Sequence, residues 1–151
     1  MKNLTRWMMV TAILLALAGC GGGGGSSVTG PGGGGGGVSE AEPNDFNGQV
    51  VGTLSATDIA VSGRTASATD VDLYRVILSS GANLLVNLDW TGTNDLELSI
   101  SNSAGIFVRT VDTAGHPETC TLASLPAGTY TIRVGSFSNS GTNYSLTLGS
   151  R

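Results

Sequence analysis

Asn83-Leu84-Leu85-Val86-Asn87-Leu88-Asp89-Trp90 decides the fold. Leu84, Val86, Leu88 and Trp90 take every second position, with Asn83, Asn87 and Asp89 between them. A period of two puts one set on a buried face and the other in water, which marks a strand and not a helix. The same alternation returns along the chain. Leu96, Leu98 and Ile100 alternate with Asp95, Glu97 and Ser99, and Tyr130, Ile132 and Val134 with Thr129, Thr131 and Arg133. Tyr144, Leu146 and Leu148 alternate with Ser145 and Thr147, and Cys120 and Leu122 hold the same spacing. Val71 to Leu78 is apolar at both parities and is expected to be a more central strand. Turn-forming clusters at Thr91-Gly92-Thr93-Asn94, Ser103-Ala104-Gly105, Pro126-Ala127-Gly128 and Ser140-Gly141-Thr142 separate the runs. No window after Glu40 sustains a helical period. Roughly eight or nine short strands at regular spacing predict an all-β fold, an antiparallel β-sandwich of jelly-roll type.

Ahead of these strands the composition changes twice. Lys2 and Arg6 precede an apolar run from Trp7 to Leu17, which is too short for the roughly 20 residues of a spanning helix. The order of charged, apolar and small residues is that of a bacterial secretory signal. Leu17-Ala18-Gly19-Cys20 resembles the lipobox of bacterial lipoproteins. The resemblance implies that Cys20 is lipidated and becomes the mature N-terminus, held to a membrane of the cell envelope. Gly21 stands where an aspartate commonly retains such proteins at the inner membrane, so the outer membrane is the expected location where the envelope has one. Residues 21–39 are nearly all glycine and serine and cannot bury enough apolar area to offset the entropy of ordering them. They match Gly-rich phosphate-loop patterns, but no strand leads into them and no helix opens after them. Three segments are expected: a signal peptide at 1–19, a lipidated cysteine and flexible linker at 20–39, and a domain at 40–151.

Charge and cysteine usage narrow the function. Once the leader is removed, Arg64, Arg75, Arg109, Arg133 and Arg151 face eleven acidic residues, a net charge of about −6. No basic stripe is present, so nucleic acid is excluded as a partner. With Cys20 acylated, Cys120 has no disulfide partner and is read as a small, buried, strand residue. His116 is the single histidine and precedes Pro117 in a loop. A catalytic triad needs a base beside a nucleophile and an orienting acid. No Gly-x-Ser-x-Gly elbow or His-Glu-x-x-His motif appears. Asp95 and Glu97 lie on the polar side of a strand. An enzyme is not expected.

Five motifs stand in order: Glu42-Pro43-Asn44-Asp45; Thr69-Asp70-Val71-Asp72-Leu73-Tyr74-Arg75-Val76; Asp95-Leu96-Glu97-Leu98-Ser99-Ile100; Ala127-Gly128-Thr129-Tyr130-Thr131-Ile132-Arg133-Val134; and Asn143-Tyr144-Ser145-Leu146-Thr147-Leu148. Together they resemble the bacterial pre-peptidase C-terminal domain, a small β-sandwich found behind secreted proteases. The resemblance implies a non-catalytic appendage. Here a lipobox leader and a glycine tract precede the domain, so a displayed module that binds a protein or polysaccharide ligand is expected. The alternative is an accessory lipoprotein that assists secretion or maturation of a separate peptidase.

Pro43 fixes its own φ and pushes Glu42 out of the helical region. An extended segment then puts Glu40, Glu42 and Asn44 on one side, with Asp45 adjacent. Asp70 and Asp72 share a parity at a strand entry. Oxygen ligands in this number suit calcium, which takes about six to eight of them. The calcium-binding relatives implied by the resemblance use the matching positions: Glu40, Glu42, Asn44, Asp45, Asp70 and Asp72. The other reading is that Asn44 and Asp45 form a turn and the two aspartates cap strand ends. Among the aromatics, Trp90, Tyr74, Tyr130 and Tyr144 follow core parity, whereas Phe107 and Phe137 are expected to be exposed.

Overall fold

The computed structural model describes residues 37–137 and 141–151. The leader, Cys20 and the glycine tract through residue 36 lie outside the described residues, as does Ser140 of the last turn signal. Ten strands follow one another: β1 (Val38–Ser39), β2 (Gln49–Leu54), β3 (Ile59–Thr65), β4 (Val71–Leu78), β5 (Ala82–Trp90), β6 (Leu96–Asn102), β7 (Phe107–Val111), β8 (Glu118–Leu125), β9 (Gly128–Ser136) and β10 (Thr142–Ser150). They form two five-stranded sheets, ordered β1-β3-β10-β5-β8 and β2-β4-β9-β6-β7. The all-β sandwich read from the sequence is the observed fold.

The alternating residues meet between the sheets. In the first sheet Tyr144, Leu146 and Leu148 of β10 lie opposite Trp90, Leu88 and Val86 of β5. In the second, Ile132 of β9 lies between Tyr74 of β4 and Ile100 of β6. All nine side chains are buried. Such cross-strand pairs, stacked face to face across two sheets, stabilise a sandwich. Each fully buried Leu or Val removes apolar surface worth roughly 1.5–3 kcal/mol from water.

Several details depart from the sequence reading, beginning with ten strands where eight or nine were expected. The outermost pairings β1–β3 and β2–β4 are parallel, while the remaining pairings are antiparallel. β1 lies in residues assigned to the linker: Val38 and Ser39 pair with Val61 and Ser62. β4 is an interior strand, between β2 and β9, but only one of its faces is buried. Arg75 and Ile77 project outward and are exposed. Cys120 is free and half-buried on β8, an edge strand, where it packs against the core.

Among the described strands, β6 and β7 are the one consecutive pair joined in a sheet. Their turn is fixed by Asn102, whose Oδ1 accepts hydrogen bonds from Ala104 N (3.0 Å) and Ile106 N (3.1 Å). Gly105 completes it at φ 75°, a conformation that glycine adopts without steric cost. Every other connection between described strands passes from one sheet to the other. The connection from β1 to β2 therefore crosses one end of the sandwich, and it carries the acidic segment.

Candidate metal centre

Residues 40–48 leave β1 in one sheet and enter β2 in the other. Gln49 holds the crossing: its Oε1 accepts from Ala41 N at 2.9 Å and its Nε2 donates to Ser39 O at 2.9 Å. The crossing bends instead of running extended. Glu42–Pro43 is a cis peptide, and a turn follows in which Gly48 N donates to Asn44 O at 3.2 Å. Within the bend, Asn44 N donates to Glu42 Oε2 (2.9 Å) and Asn44 Nδ2 to Glu40 Oε1 (3.4 Å). Glu40 Oε2 also accepts from Arg64 N of β3 at 2.6 Å. Glu40, Glu42 and Asn44 do converge, through this bend and its hydrogen bonds.

The later aspartates close the group from below. One carboxylate oxygen from each of Glu40, Glu42 and Asp72 lies within 4.8 Å of the others, and the same holds for Glu42, Asp45 and Asp70. Glu42 belongs to both triads. The six residues singled out in the sequence therefore form one cluster, with Asn44 hydrogen-bonded inside it. Asp70 serves as a local cap as well, accepting a hydrogen bond from Ala66 N.

Asp72 is not a strand-end cap. It shares the parity of Tyr74, Val76 and Leu78, so its side chain enters the sandwich, and it is fully buried. Its Oδ2 accepts a hydrogen bond from Tyr144 Oη at 2.5 Å, and Tyr144 and Tyr74 share a hydroxyl–hydroxyl bond of 2.6 Å. Gly63 makes room for this chain: a Cβ there would run into the Tyr144 phenol and the Tyr74 hydroxyl. The other oxygen, Asp72 Oδ1, is buried without a hydrogen-bond partner, as are Asn44 Oδ1 and Asp45 Oδ1. Burial, then hydrogen bonding to the Glu40 carboxyl when one of the two is protonated, then the Glu40 and Asp70 charges push the Asp72 carboxyl up to about 9, against the pull of the Tyr144 hydroxyl. Burial and the same two acids also raise Glu42. A buried carboxylate among like charges is costly unless a proton or a cation compensates it. Three buried oxygens without partners, beside further carboxylates, fit a hard cation with oxygen ligands.

A second buried carboxyl was missed by the sequence reading. Glu118 opens β8, opposite Leu88, and is buried. Its Oε1 accepts from Thr113 N at 2.8 Å, and Leu98 N of the opposite sheet also bonds the carboxylate. Oε2 has no partner. Burial pushes it up to about 7, opposed by the two backbone bonds and aided by Asp112 and Asp95. The signal was its shared parity with Cys120 and Leu122. His116 is exposed in the loop before β8. Its Nδ1 lies 3.0 Å from Asp89 Oδ1, and its ring centroid is 5.1 Å from that of Trp90. Phe107 and Phe137 are exposed as expected, while Trp90 and the three tyrosines are buried.

Residues 70–136 match the family model of the bacterial pre-peptidase C-terminal domain. Over that span, less than half of the chain, the sandwich is similar to a pre-peptidase C-terminal domain. The matched span includes Asp70 and Asp72 and begins after the Glu40–Asp45 segment. The pre-peptidase C-terminal domain of a Bacillus anthracis collagenase superposes with a TM-score of 0.56 at 15% identity, over 70% of this chain and 99% of that one. A periplasmic inhibitor of g-type lysozyme from Aeromonas hydrophila, PliG, superposes with a TM-score of 0.51 at 14% identity, over 68% of this chain and 98% of that one. At these identities the likeness concerns the fold. No curated protein matches the chain significantly.

Proposed function

We propose that this chain is a lipid-anchored, non-catalytic interaction module of the bacterial cell envelope, with a calcium ion stabilising its pre-peptidase C-terminal domain. The observation that carries the calcium reading is Asp72: a fully buried carboxylate, one oxygen without a partner, facing Glu40 and Glu42. Glu40, Glu42, Asn44, Asp45, Asp70 and Asp72 supply the ligands. The cation offsets the repulsion among the acids and ties residues 40–48 across both sheets. Lipidation rests on Leu17-Ala18-Gly19-Cys20, and Gly21 favours the outer membrane where one exists. The partner is a protein or a glycan of the envelope. The family's association with peptidases supports a second reading, an accessory lipoprotein serving a secreted peptidase encoded nearby.

Extracellular calcium modules bind at about 10⁻⁴ to 10⁻³ M. At about 100-fold excess over the dissociation constant, binding adds roughly 2.7 kcal/mol. Calcium should then raise the melting temperature of the chain by roughly 8 °C. Asp70→Ala and Asp45→Ala should lose the shift and stay folded. An unchanged melting temperature in about 10 mM calcium, with residues 40–48 equally protease-sensitive, refutes the calcium site. Detergent partitioning tests the anchor: the wild-type chain enters the detergent phase and Cys20→Ala does not. Equal partitioning into the aqueous phase refutes lipidation.

A further inference from the structure

The outer face of the β2-β4-β9-β6-β7 sheet holds one cross-strand row that the fold does not explain. Val50 lies opposite Arg75, Arg75 opposite Thr131, Thr131 opposite Ser101, and Ser101 opposite Phe107. Val50 and Phe107 end the row, 53% and 69% exposed. An open groove of about 440 Å³ runs along the row from Val50 to Ser101, with Ile77 and Thr129 alongside, and ends at the Asn102–Gly105 turn. Arg75 is its cation. Arg133 is paired with Glu97 at 3.1 Å and Arg151 with Asp58 at 2.8 Å. Arg75 makes no ion pair or hydrogen bond among the described residues, on a chain whose acids outnumber its bases. Its stem passes close to Gly48, where a Cβ would lie 3.1 Å from Arg75 Cγ.

We infer that this groove binds an extended segment of a partner protein carrying one acidic side chain between apolar ones. The inference builds on the reading of the chain as an interaction module, and supplies its site and the chemistry of its partner. Charge complementarity selects the carboxylate, since a guanidinium bonds a carboxylate strongly and with two parallel donors. Val50 and Ile77 on one side cover apolar side chains, and Phe107 stands exposed beyond Ser101, past the end of the groove. Thr129, Thr131 and Ser101 offer hydroxyls to a peptide backbone. The row crosses three inter-strand steps from β2 to β6, roughly 14 Å at the usual sheet spacing. That matches about four or five extended residues. A polyanion such as a uronate polymer needs a series of cations. This face offers a single unpaired one, on a domain of negative net charge that repels polyanions.

The test is selection of a random seven-residue peptide display library on the immobilised full chain in detergent, followed by anisotropy titration of the enriched peptides in labelled, synthetic form. The expected consensus holds one Asp or Glu flanked by apolar residues. Affinity should fall at least tenfold with Arg75→Gln, and again when the acid of the peptide becomes its amide. Thr129→Trp, which fills the groove beside Arg75 and keeps the guanidinium, should weaken binding to a similar degree while the melting temperature is kept. Absence of enrichment, a consensus without an acid, equal binding to Arg75→Gln or to Thr129→Trp, or displacement of the peptide by trigalacturonate overturns the assignment. The Cys20→Ala and calcium experiments read out separately. A chain that passes both and selects no acidic peptide loses this groove and keeps its anchor and its ion.

Discussion

Asp72 and Glu118 are the two acids buried completely or almost so, at 0% and 1% exposure, and each has an oxygen without a hydrogen-bond partner. Their surroundings differ in kind. Glu118 accepts two backbone N–H groups, from Thr113 beyond β7 and Leu98 on β6, and so clamps β8 to the opposite sheet. Asp72 takes one hydroxyl hydrogen, from Tyr144, and faces Glu40 and Asp70. The carboxyl with backbone donors rises to about 7, and the one among like charges to about 9. Burial alone therefore does not say what an acid is for. The donors around it separate a strap within the fold from a candidate place for a cation.

Truncation should break the comparison most sharply. Glu118→Ala strands two N–H groups and opens a void between the sheets, so urea unfolding at pH 5 should show a loss of about 3 kcal/mol. Calcium should not restore it. A loss below about 1 kcal/mol would mean that water replaces the carboxylate there. The pH profile comes next. Glu118 has a folded value near 7 against a reference of 4.5, so the folded chain holds this proton longer than the unfolded one. Its contribution is complete below about pH 4.5 and is lost as the pH rises toward 7, up to about 3 kcal/mol. Glu118→Gln keeps an acceptor and carries no charge. It should flatten this decline and exceed the wild type at pH 8 in calcium-free buffer, as judged by thermal melts from pH 4 to 8. A parallel decline in both proteins would assign the pH dependence to other groups. The smallest effect belongs to Tyr144→Phe, which removes one donor from Asp72 Oδ2 and the partner of the buried Tyr74 hydroxyl, and leaves Asp72 Oδ1 untouched. It should cost about 2 kcal/mol and preserve the calcium shift. Loss of the shift in that variant would place Tyr144 in control of the ion.

The sandwich was legible because period-two patterning is local: Leu84 to Trp90 and Tyr130 to Val134 declare their buried face without reference to the rest of the chain. The parallel edges were not legible. They depend on which distant strand β1 and β2 meet, and two or six residues carry little register information. The acidic residues of the candidate centre were visible as a composition, Glu40 through Asp45 and then Asp70 and Asp72. The geometry that gathers them was not, since it comes from a bend stitched by Asn44 and Gln49. Glu118 and the inward aim of Asp72 were readable by parity, had a charged residue at a core position been weighed as heavily as an apolar one. The row from Val50 through Arg75 to Phe107 could not be read at all, because it exists only once five strands have found their register.

β1 consists of two residue pairs against β3, followed by the Glu40–Arg64 bond and the crossing to β2. Any tension arriving through the backbone ahead of Gly37 meets those pairs first. Peeling them uncovers the Glu40 carboxylate, and the next resistance is the gathering of Glu42, Asp45 and Asp70. As bare acids they repel and ease the opening. With a divalent ion between them they become a rivet across both sheets. If the ion binds, the first rupture force with the N-terminus pulled would be set at one end of the sandwich by a few oxygens, before the apolar core beyond them is reached.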